Sequence, residues 1–415
     1  MALAAASGDG ARQAMLAAAT LAGDNALILS GGGANGAYEV GVVKALLAGA
    51  SPGTGGVPLA PRIYTGTSVG AYNAAWLAQH ADAGPASALG LEAIWNRRVA
   101  STLASCGNGV YRLRADPARW LDPGCLAHPV ANALTLIADA AFWTGYGLVR
   151  GLNFVTSDEP LRVRTAELID FGAIFSAAPL ATLIEETIDL GRLAASPAAL
   201  RVATTDWQVG KARVFSKAEM VGAVGTAAIQ ASAAIPGIFP PVSIDGRLYV
   251  DGGLLMSTPL KPAIDAGARV LHIVYVDPAV VNIPYPDLPN TLDALYRIYV
   301  IAIAGNANQD ITMAALVNED QELAEMVRTD RAGRRLRRIE RVLEHARRGE
   351  PYRPLIIHRY RPHLPLGNAE GLLDFRERRI DDLIARGYDD AVHHDCDAEQ
   401  CVMPPEWAAP AGRRR

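Results

Sequence analysis

The sequence of 415 residues is poor in aromatic residues, in cysteine and in charge of one sign. A net charge of -4 and 6% of aromatic residues provide neither the basic surface nor the stacking side chains that nucleic-acid binding needs. We therefore expect no nucleic-acid partner. The 50% of hydrophobic residues suits a globular protein with a sizeable core.

The scarcity of cysteine excludes a disulfide scaffold. The chain has four cysteines, and only the last two lie close enough in sequence to suggest a pair or a metal clip: Cys106, Cys125, Cys396 and Cys401. A reduced, cytoplasmic setting, peripheral to a membrane, is therefore the expectation.

A stretch near the C-terminus is rich in residues that can bind metals: His393, His394, Asp395, Cys396 and Cys401. It lacks the doubled Cys-x-x-Cys spacing that is typical of zinc sites. We therefore predict no metal ion, and nothing in the sequence indicates an organic cofactor.

Strand-like and helix-like segments alternate along the first two thirds of the chain. Residues 25–30 and 62–66 are short apolar runs, each followed by glycines and a helical pattern, and further strands are predicted near 200–207, 247–251 and 268–277. This alternation predicts an α/β fold in which helices wrap a central mixed or parallel sheet.

Changes in composition suggest a division of the chain. We expect a leader, a main domain, a helical cap or insertion within it and a helix-rich C-terminal region that packs on the core, at 1–24, 25–277, 98–165 and 278–415 respectively.

The stretch "LILSGGGANGAYEVG", residues 27–41, has the Gly31-x-Gly33-x-x-Gly36 spacing of a dinucleotide-binding loop. Such a loop needs an acidic residue about 20 positions later to bind the ribose. No Asp or Glu lies between Glu39 and Asp82, so a nucleotide is not expected.

A second glycine motif, "GTSVG" at 66–70, follows the next predicted strand. Gly-x-Ser-x-Gly between a strand and a helix makes a sharp turn that exposes the serine hydroxyl, so Ser68 is a candidate nucleophile. A serine that only caps the helix is the alternative. If the two strands are parallel neighbours, the amides of Gly31, Gly32 and Gly33 lie near Ser68 and can stabilise an oxyanion.

The base that would activate Ser68 is less obvious. None of the eight histidines lies in a persuasive turn, and His272 lies within a predicted buried strand. Asp251 ends the strand in "LYVDGG" and is followed by Gly252 and Gly253, although an Asp-Gly pair is most often only a turn.

Taken in order, these motifs resemble those of the patatin-like phospholipase family, the bacterial serine–aspartate lipid acyl hydrolases. The similarity covers about residues 25–275 and lies in four stretches: "SGGGANGAYEVGV", "GTSVG", "ASAAIPGIFPPV" and "VDGG". It implies a patatin-like catalytic domain that cleaves a phospholipid or other fatty acyl ester, as a phospholipase A or lysophospholipase does, through an acyl-enzyme.

The resemblance also implies roles for individual residues. Ser68 would be the nucleophile, Asp251 the general base, and the amides of Gly31, Gly32 and Gly33 the oxyanion hole, without a histidine. The remaining motif glycines are Gly36, Gly66, Gly70, Gly252 and Gly253.

Two other functions remain open. One is an α/β-hydrolase-type esterase with a triad of Ser68, His272 and either Asp206 or Asp251. The other is a non-catalytic lipid-binding protein that keeps the same pocket.

Two segments outside the motifs could meet lipid. The apolar stretch from Val130 to Phe154 carries Asn132 and Asp139, so we expect a core helix or an interfacial lid instead of a membrane span. The run from Arg328 to Arg348 could attract anionic headgroups, or simply form a solvated helix face.

Overall fold

The computed structural model describes residues 2–167, 171–276, 355–367 and 369–403, together with Arg297 and Ile301. The run from Arg328 to Arg348 and most of the helix-rich region predicted from 278 to 354 lie outside the described residues. The division into leader, main domain and C-terminal region stays a prediction.

The strands of the described chain run as follows: β1 Asn25–Leu29, β2 Ile63–Thr67, β3 Arg112–Leu113, β4 Phe175–Ser176, β5 Ala199–Asp206, β6 Lys211–Ser216, β7 Val242–Ile244, β8 Arg247–Asp251, β9 Val270–Val274 and β10 Ile356–Tyr360.

The α-helices are α1 Ala2–Leu21, α2 Gly36–Leu47, α3 Val69–Gln79, α4 Pro85–Ile94, α5 Pro123–Leu126, α6 Pro129–Thr156, α7 Leu161–Glu167, α8 Ala178–Thr187, α9 Leu190–Ala195, α10 Ala223–Ser232, α11 Gly253–Met256, α12 Leu260–Asp265, α13 Ala369–Leu372 and α14 Glu377–Val392.

An eight-stranded mixed sheet forms the centre of the fold, in the order β10-β9-β1-β2-β5-β8-β7, with β6 paired to β5. The strands from β10 to β5 in this order are parallel, whereas β6, β7 and β8 make antiparallel pairs. The predicted α/β class is confirmed. All five residues of β1 and of β2 are buried, as expected of parallel strands covered on both faces by helices.

Helices α2 and α14 pack closely on one face of this sheet. A Cβ at Gly41 would overlap the carbonyl of Ile384, and a Cβ at Gly387 would overlap the carbonyl of Tyr38. The two glycines therefore allow the helix backbones to touch. This contact joins the described C-terminal segment to the helix that follows the first glycine loop.

The disulfide pattern differs from the expectation. Cys106 and Cys125 form a disulfide, whereas Cys396 and Cys401 are free thiols. The two partners are 19 residues apart in sequence, but the insertion folds so that their Cα atoms lie 4.3 Å apart.

Helix α6 is the long helix predicted from Val130. Two of its polar side chains are buried and many of its apolar side chains are exposed. Its buried residues are Asn132 and Asp139, which contact Arg119 and Arg112 of the same insertion. Leu148 and Leu152 are 73% and 62% exposed. The core-helix interpretation is therefore wrong. Among the described residues, none of the helices combines the length and the apolar character required to span a membrane.

Candidate active site

Ser68 occupies the turn between β2 and α3, where the chain reverses sharply. Its backbone has φ 56° and ψ -129°, a left-handed conformation that is rare outside glycine. Strain of this kind is characteristic of the nucleophile turn of acyl-transfer enzymes. The residue lies at the N-terminus of α3, where the helix dipole favours negative charge.

The flanking glycines make the turn sterically feasible. A Cβ at Gly66 would collide with the carbonyl of Gly70, and a Cβ at Gly70 would lie 2.5 Å from the carbonyl oxygen of Leu29. Any side chain at either position would force the turn open. The Gly-x-Ser-x-Gly pattern is thus required by the packing of this turn against β1.

Ser232, at the end of α10, holds the turn at Ser68 in place by hydrogen bonds. Its hydroxyl accepts a hydrogen bond from the backbone N–H of Ser68 at 2.9 Å and donates one to the carbonyl of Ala203 at 2.6 Å. The bond ties the strained residue to β5. Sequence reasoning missed this role, although Ser232 lies in the quoted "ASAAIPGIFPPV" stretch.

The pairing of β5 determines where Asp251 lies. β6 covers one edge of β5 along residues 201–206, so β2 and β8 share the other edge. On that edge Thr67 is opposite residue 203 and Asp251 is opposite residue 204. Since successive residues of a strand are about 3.3 Å apart, the carboxyl ends of β2 and β8 meet there. The register places Asp251 beside Ser68.

Backbone contacts hold Asp251 in this position. Its N–H donates to the carbonyl of Ala234 at 2.9 Å, and its carbonyl accepts from the Thr205 hydroxyl at 3.0 Å. The carboxylate oxygen Oδ1 accepts a 2.7 Å bond from the N–H of Gly253. Asp251 is fully buried, so its side chain has little freedom to reorient.

The first glycine loop reaches the same place from β1. A Cβ built on Gly31 would lie 3.0 Å from the Cβ and 3.8 Å from the Oγ of Ser68. Gly33, at φ 54°, lines the same cavity as the serine. Within the described chain the amides of Gly31, Gly32 and Gly33 donate no hydrogen bond to protein. Such amides are suited to an oxyanion.

An apolar cavity begins at Ser68. It measures about 40 Å³ and is lined by side chains of α3, α8 and α10 and of the chain before α14. Tyr72, Leu183, Ile229 and Phe375 are among them. Most of its lining is hydrocarbon, so the cavity suits an apolar group beside the hydroxyl of Ser68.

Comparison with known proteins agrees with this geometry. Residues 27–264, more than half of the chain, match the family model described as patatin-like phospholipase. The chain belongs to the patatin-like phospholipase family.

The similar proteins found by sequence and by structure extend this picture only a little. Uncharacterized NTE family proteins of Mycobacterium bovis and Mycobacterium tuberculosis are 41% identical over 64 residues. That match spans 15% of this chain and 16% of those curated relatives. The structure of VipD from Legionella pneumophila aligns with 90% of this chain and 67% of its own, at 15% identity and a TM-score of 0.35.

His272 does not take part in the patatin-like site. It lies in the middle of β9, in register with Leu27 and not with the strand ends. Burial, followed by the neighbouring His358 and His394, lowers its pKa well below the usual value. Its Nδ1 lies 3.2 Å from the hydroxyl of Tyr360. A triad through His272 therefore has no support in the geometry.

Asp206, the other acid considered, occupies the turn between β5 and β6. Its carboxylate accepts from the N–H groups of Gln208 and Val209 and pairs with Arg247 at 3.1 Å. Burial alone would raise its pKa, but these partners outweigh that effect and lower it. This residue stabilises a turn.

A third carboxylate lies beneath the first glycine loop. Glu39 of α2 is completely buried and accepts a 2.9 Å hydrogen bond from Nδ2 of Asn73, whose Oδ1 accepts one from the indole of Trp95. Burial raises the pKa of Glu39 well above its usual value. The patatin-like site is thus supported by a buried polar network that sequence reasoning did not identify.

Proposed function

We propose that this protein is a lipid acyl ester hydrolase of the phospholipase A or lysophospholipase type. In this proposal Ser68 is the nucleophile, Asp251 is the general base, and the amides of Gly31, Gly32 and Gly33 form the oxyanion hole. The observation that carries it is the shared edge of β5, which puts the ends of β2 and β8 side by side.

The proposed reaction has two halves. Oγ of Ser68 attacks the acyl carbonyl carbon while Asp251 accepts the hydroxyl proton, and the carbonyl oxygen becomes an oxyanion held by the glycine amides. The intermediate collapses, the C–O bond to the alcohol breaks, and Asp251 returns the proton to the leaving alcohol. Water then attacks the acyl-enzyme by the same route, and the fatty acid leaves.

A carboxylate is a weak base near neutral pH, so the rate must depend on other contributions. Two such contributions are the fixed position of Asp251 and the glycine amides that face the developing negative charge. Neither group has to reorganise during the reaction. This reasoning explains why the turn at Ser68 is strained and tightly packed.

We also propose that α6 meets the lipid surface. Its exposed apolar side chains include Val130, Leu134, Leu148, Leu152 and Val155. Two aromatic side chains of the same helix, Phe142 and Tyr146, line a second cavity of about 340 Å³ together with Val250, the residue before Asp251. A helix that is apolar outside and borders the active site is suited to pass lipid from an interface. The cytoplasmic, membrane-peripheral location stays a prediction.

Replacing Ser68 with Ala tests the function. We expect hydrolysis of a short-chain nitrophenyl ester and release of fatty acid from phospholipid vesicles to fall to background. Circular dichroism and the melting temperature should stay near those of the wild type. Retained hydrolysis in a folded Ser68→Ala protein would contradict the proposal, and a wild-type protein that binds vesicles but releases no fatty acid would support a lipid-binding function instead.

A further inference from the structure

Four side chains that can bind a metal converge at the β10 edge of the sheet. They are His358 of β10, His394 and Cys396 just after α14, and Cys401. Their ligand atoms all lie within 4.8 Å of one another. Both histidines are buried, and both cysteines are half-buried free thiols.

Three of the distances between these atoms are close to the edges of a tetrahedron around one ion. Sγ of Cys396 lies 3.4 Å from Nδ1 of His358 and 3.3 Å from Nε2 of His394. Sγ of Cys401 lies 3.5 Å from Nε2 of His394. With Zn–S near 2.3 Å and Zn–N near 2.05 Å, tetrahedral geometry puts sulfur and nitrogen ligands about 3.6 Å apart.

The backbone holds the four side chains in place. Ile357 and Val402 exchange two hydrogen bonds, of 2.8 and 3.0 Å, so that Cys401 is fixed next to β10. The N–H of Cys401 also donates to the carbonyl of Cys396 at 2.9 Å, which closes a short loop between the two thiols. The ligand set is thus arranged by the fold.

Aromatic rings pack around both histidines and restrict their orientation. The ring of His272 stacks on that of His358 with 4.8 Å between centroids, and the ring of Tyr360 lies 4.4 Å from that of His394. Packing that fixes the rings of ligand histidines is a usual feature of metal sites. Arg12 of α1 pairs with Asp397 at 3.2 Å and adds a further tie beside the loop.

Two thiols and two imidazoles are the ligand set of closed, structural zinc sites. We propose that His358, His394, Cys396 and Cys401 bind one zinc ion in a tetrahedral site that fastens residues 394–403 to β10. Each thiol releases its proton to solvent on binding, and the two thiolates balance the charge of the ion. All four positions are filled by protein, so the ion has no place for a substrate.

The site is separate from Ser68. Strand β10 is three places from β2 in the sheet, a distance of about 14 Å at about 4.8 Å per strand. We therefore expect the ion to affect the stability of the C-terminal segment and not the hydrolysis of ester. Sequence spacing concealed the site, because His358 comes from a strand far upstream of the other three ligands.

Metal content tests the proposal directly. The full chain, purified without a histidine tag under reducing conditions and dialysed against zinc, should hold about one zinc ion per chain by mass spectrometry of the metal. Cys401→Ser should lose it, whereas His393→Ala, which removes an exposed neighbouring histidine, should keep it. Below its melting temperature Cys401→Ser should hydrolyse nitrophenyl ester at the wild-type rate, with a lower melting temperature.

A spectroscopic test avoids dependence on a folded variant. Wild-type protein loaded with Co²⁺ should show the visible bands of a tetrahedral ion and the near-ultraviolet band of thiolate ligation, and a mercurial reagent that titrates thiols should release the metal. The proposal is overturned if the protein binds no zinc after dialysis, if the Co²⁺ spectrum lacks thiolate bands, or if Cys396 and Cys401 are found joined in a disulfide under these conditions.

Discussion

Two parts of the central sheet gather polar side chains in different ways. Where β2 and β8 end, Ser68 lines one apolar cavity, and Val250, the residue before Asp251, lines a second. At the β10 end, four ligand atoms face one another with no more than 4.8 Å between any two. Groups that act on a substrate need space beside them, whereas groups that hold an ion close on themselves. The surroundings therefore separate a reactive site from a structural one.

The largest effect should come from Asp251→Asn. This change keeps the shape of the side chain but removes the proton acceptor, so we expect kcat/KM on a nitrophenyl ester to fall roughly a thousandfold or more. Asp206→Asn is the matched control. Asp206 lies in the turn between β5 and β6 and pairs with Arg247, so this variant should keep most of the activity. Similar losses of activity in both variants would contradict the assignment of Asp251, and not Asp206, as the general base.

Next in size is the loss of the hydrogen bond that supports the strained turn. Ser232→Ala leaves the buried N–H of Ser68 without its partner, which costs about 1–3 kcal/mol. We expect kcat to fall about tenfold with little change in KM, measured by steady-state kinetics. Ser257→Ala removes a buried hydroxyl that has no hydrogen-bond partner within the described ranges, and it should leave kcat nearly unchanged. If kcat is unaffected in Ser232→Ala, the hydroxyl does not position the nucleophile.

A change on α6 should separate lipid access from chemistry. The double substitution Leu148→Glu and Leu152→Glu places charge on the exposed apolar face, so we expect hydrolysis of vesicle lipid to fall about tenfold while hydrolysis of a water-soluble ester stays constant. Leu89→Glu, at a 56% exposed leucine of α4, is the control. Equal activity on vesicles in the wild type, the α6 double variant and Leu89→Glu would contradict an interfacial role for α6.

The smallest predicted effect concerns Glu39 and depends on pH. Because burial raises its folded-state pKa, Glu39 contributes stability below its ordinary pKa, and this contribution is lost as pH rises through the raised value. Glu39→Gln, which mimics the neutral acid, should therefore become more stable than the wild type as pH rises from 4.5. Chemical denaturation at several pH values measures this.

Glu219 provides the opposite case as a control. Burial would raise its pKa, but Ser216 and Arg213 lower it to about 2. The stability that Glu219 contributes is therefore present above the ordinary carboxyl pKa and is lost as pH falls through the lowered pKa. Glu219→Gln should thus be less stable than the wild type at neutral pH, and the difference should shrink in acid. Parallel pH profiles for the two variants would contradict the raised pKa of Glu39.

The sequence was informative where a function is encoded by adjacent residues. The turns around Ser68 and Gly31 depend on glycines a few positions away, so the motif predicts the local geometry directly. The sequence predicts that Asp251 ends a strand, but it does not show where that strand lies in the sheet. The position of Asp251 depends on the edge of β5 that β2 and β8 share, which is a pairing between distant strands.

Other features depend on contacts that spacing does not reveal. The periodicity of α6 is the same whether its apolar face is buried or exposed, and only the partners of Asn132 and Asp139 decide which face turns inward. The pairing of Cys106 with Cys125 and the approach of His358 to Cys401 likewise follow from the path of the chain between them.

The most direct test of the central claim is to map where a fluorophosphonate reacts. Wild-type protein treated with the reagent and digested should carry the adduct on the peptide that contains Ser68, and Asp251→Asn should label far more slowly at the same residue. An adduct on another residue, or none in folded protein supplied with lipid, would contradict the account.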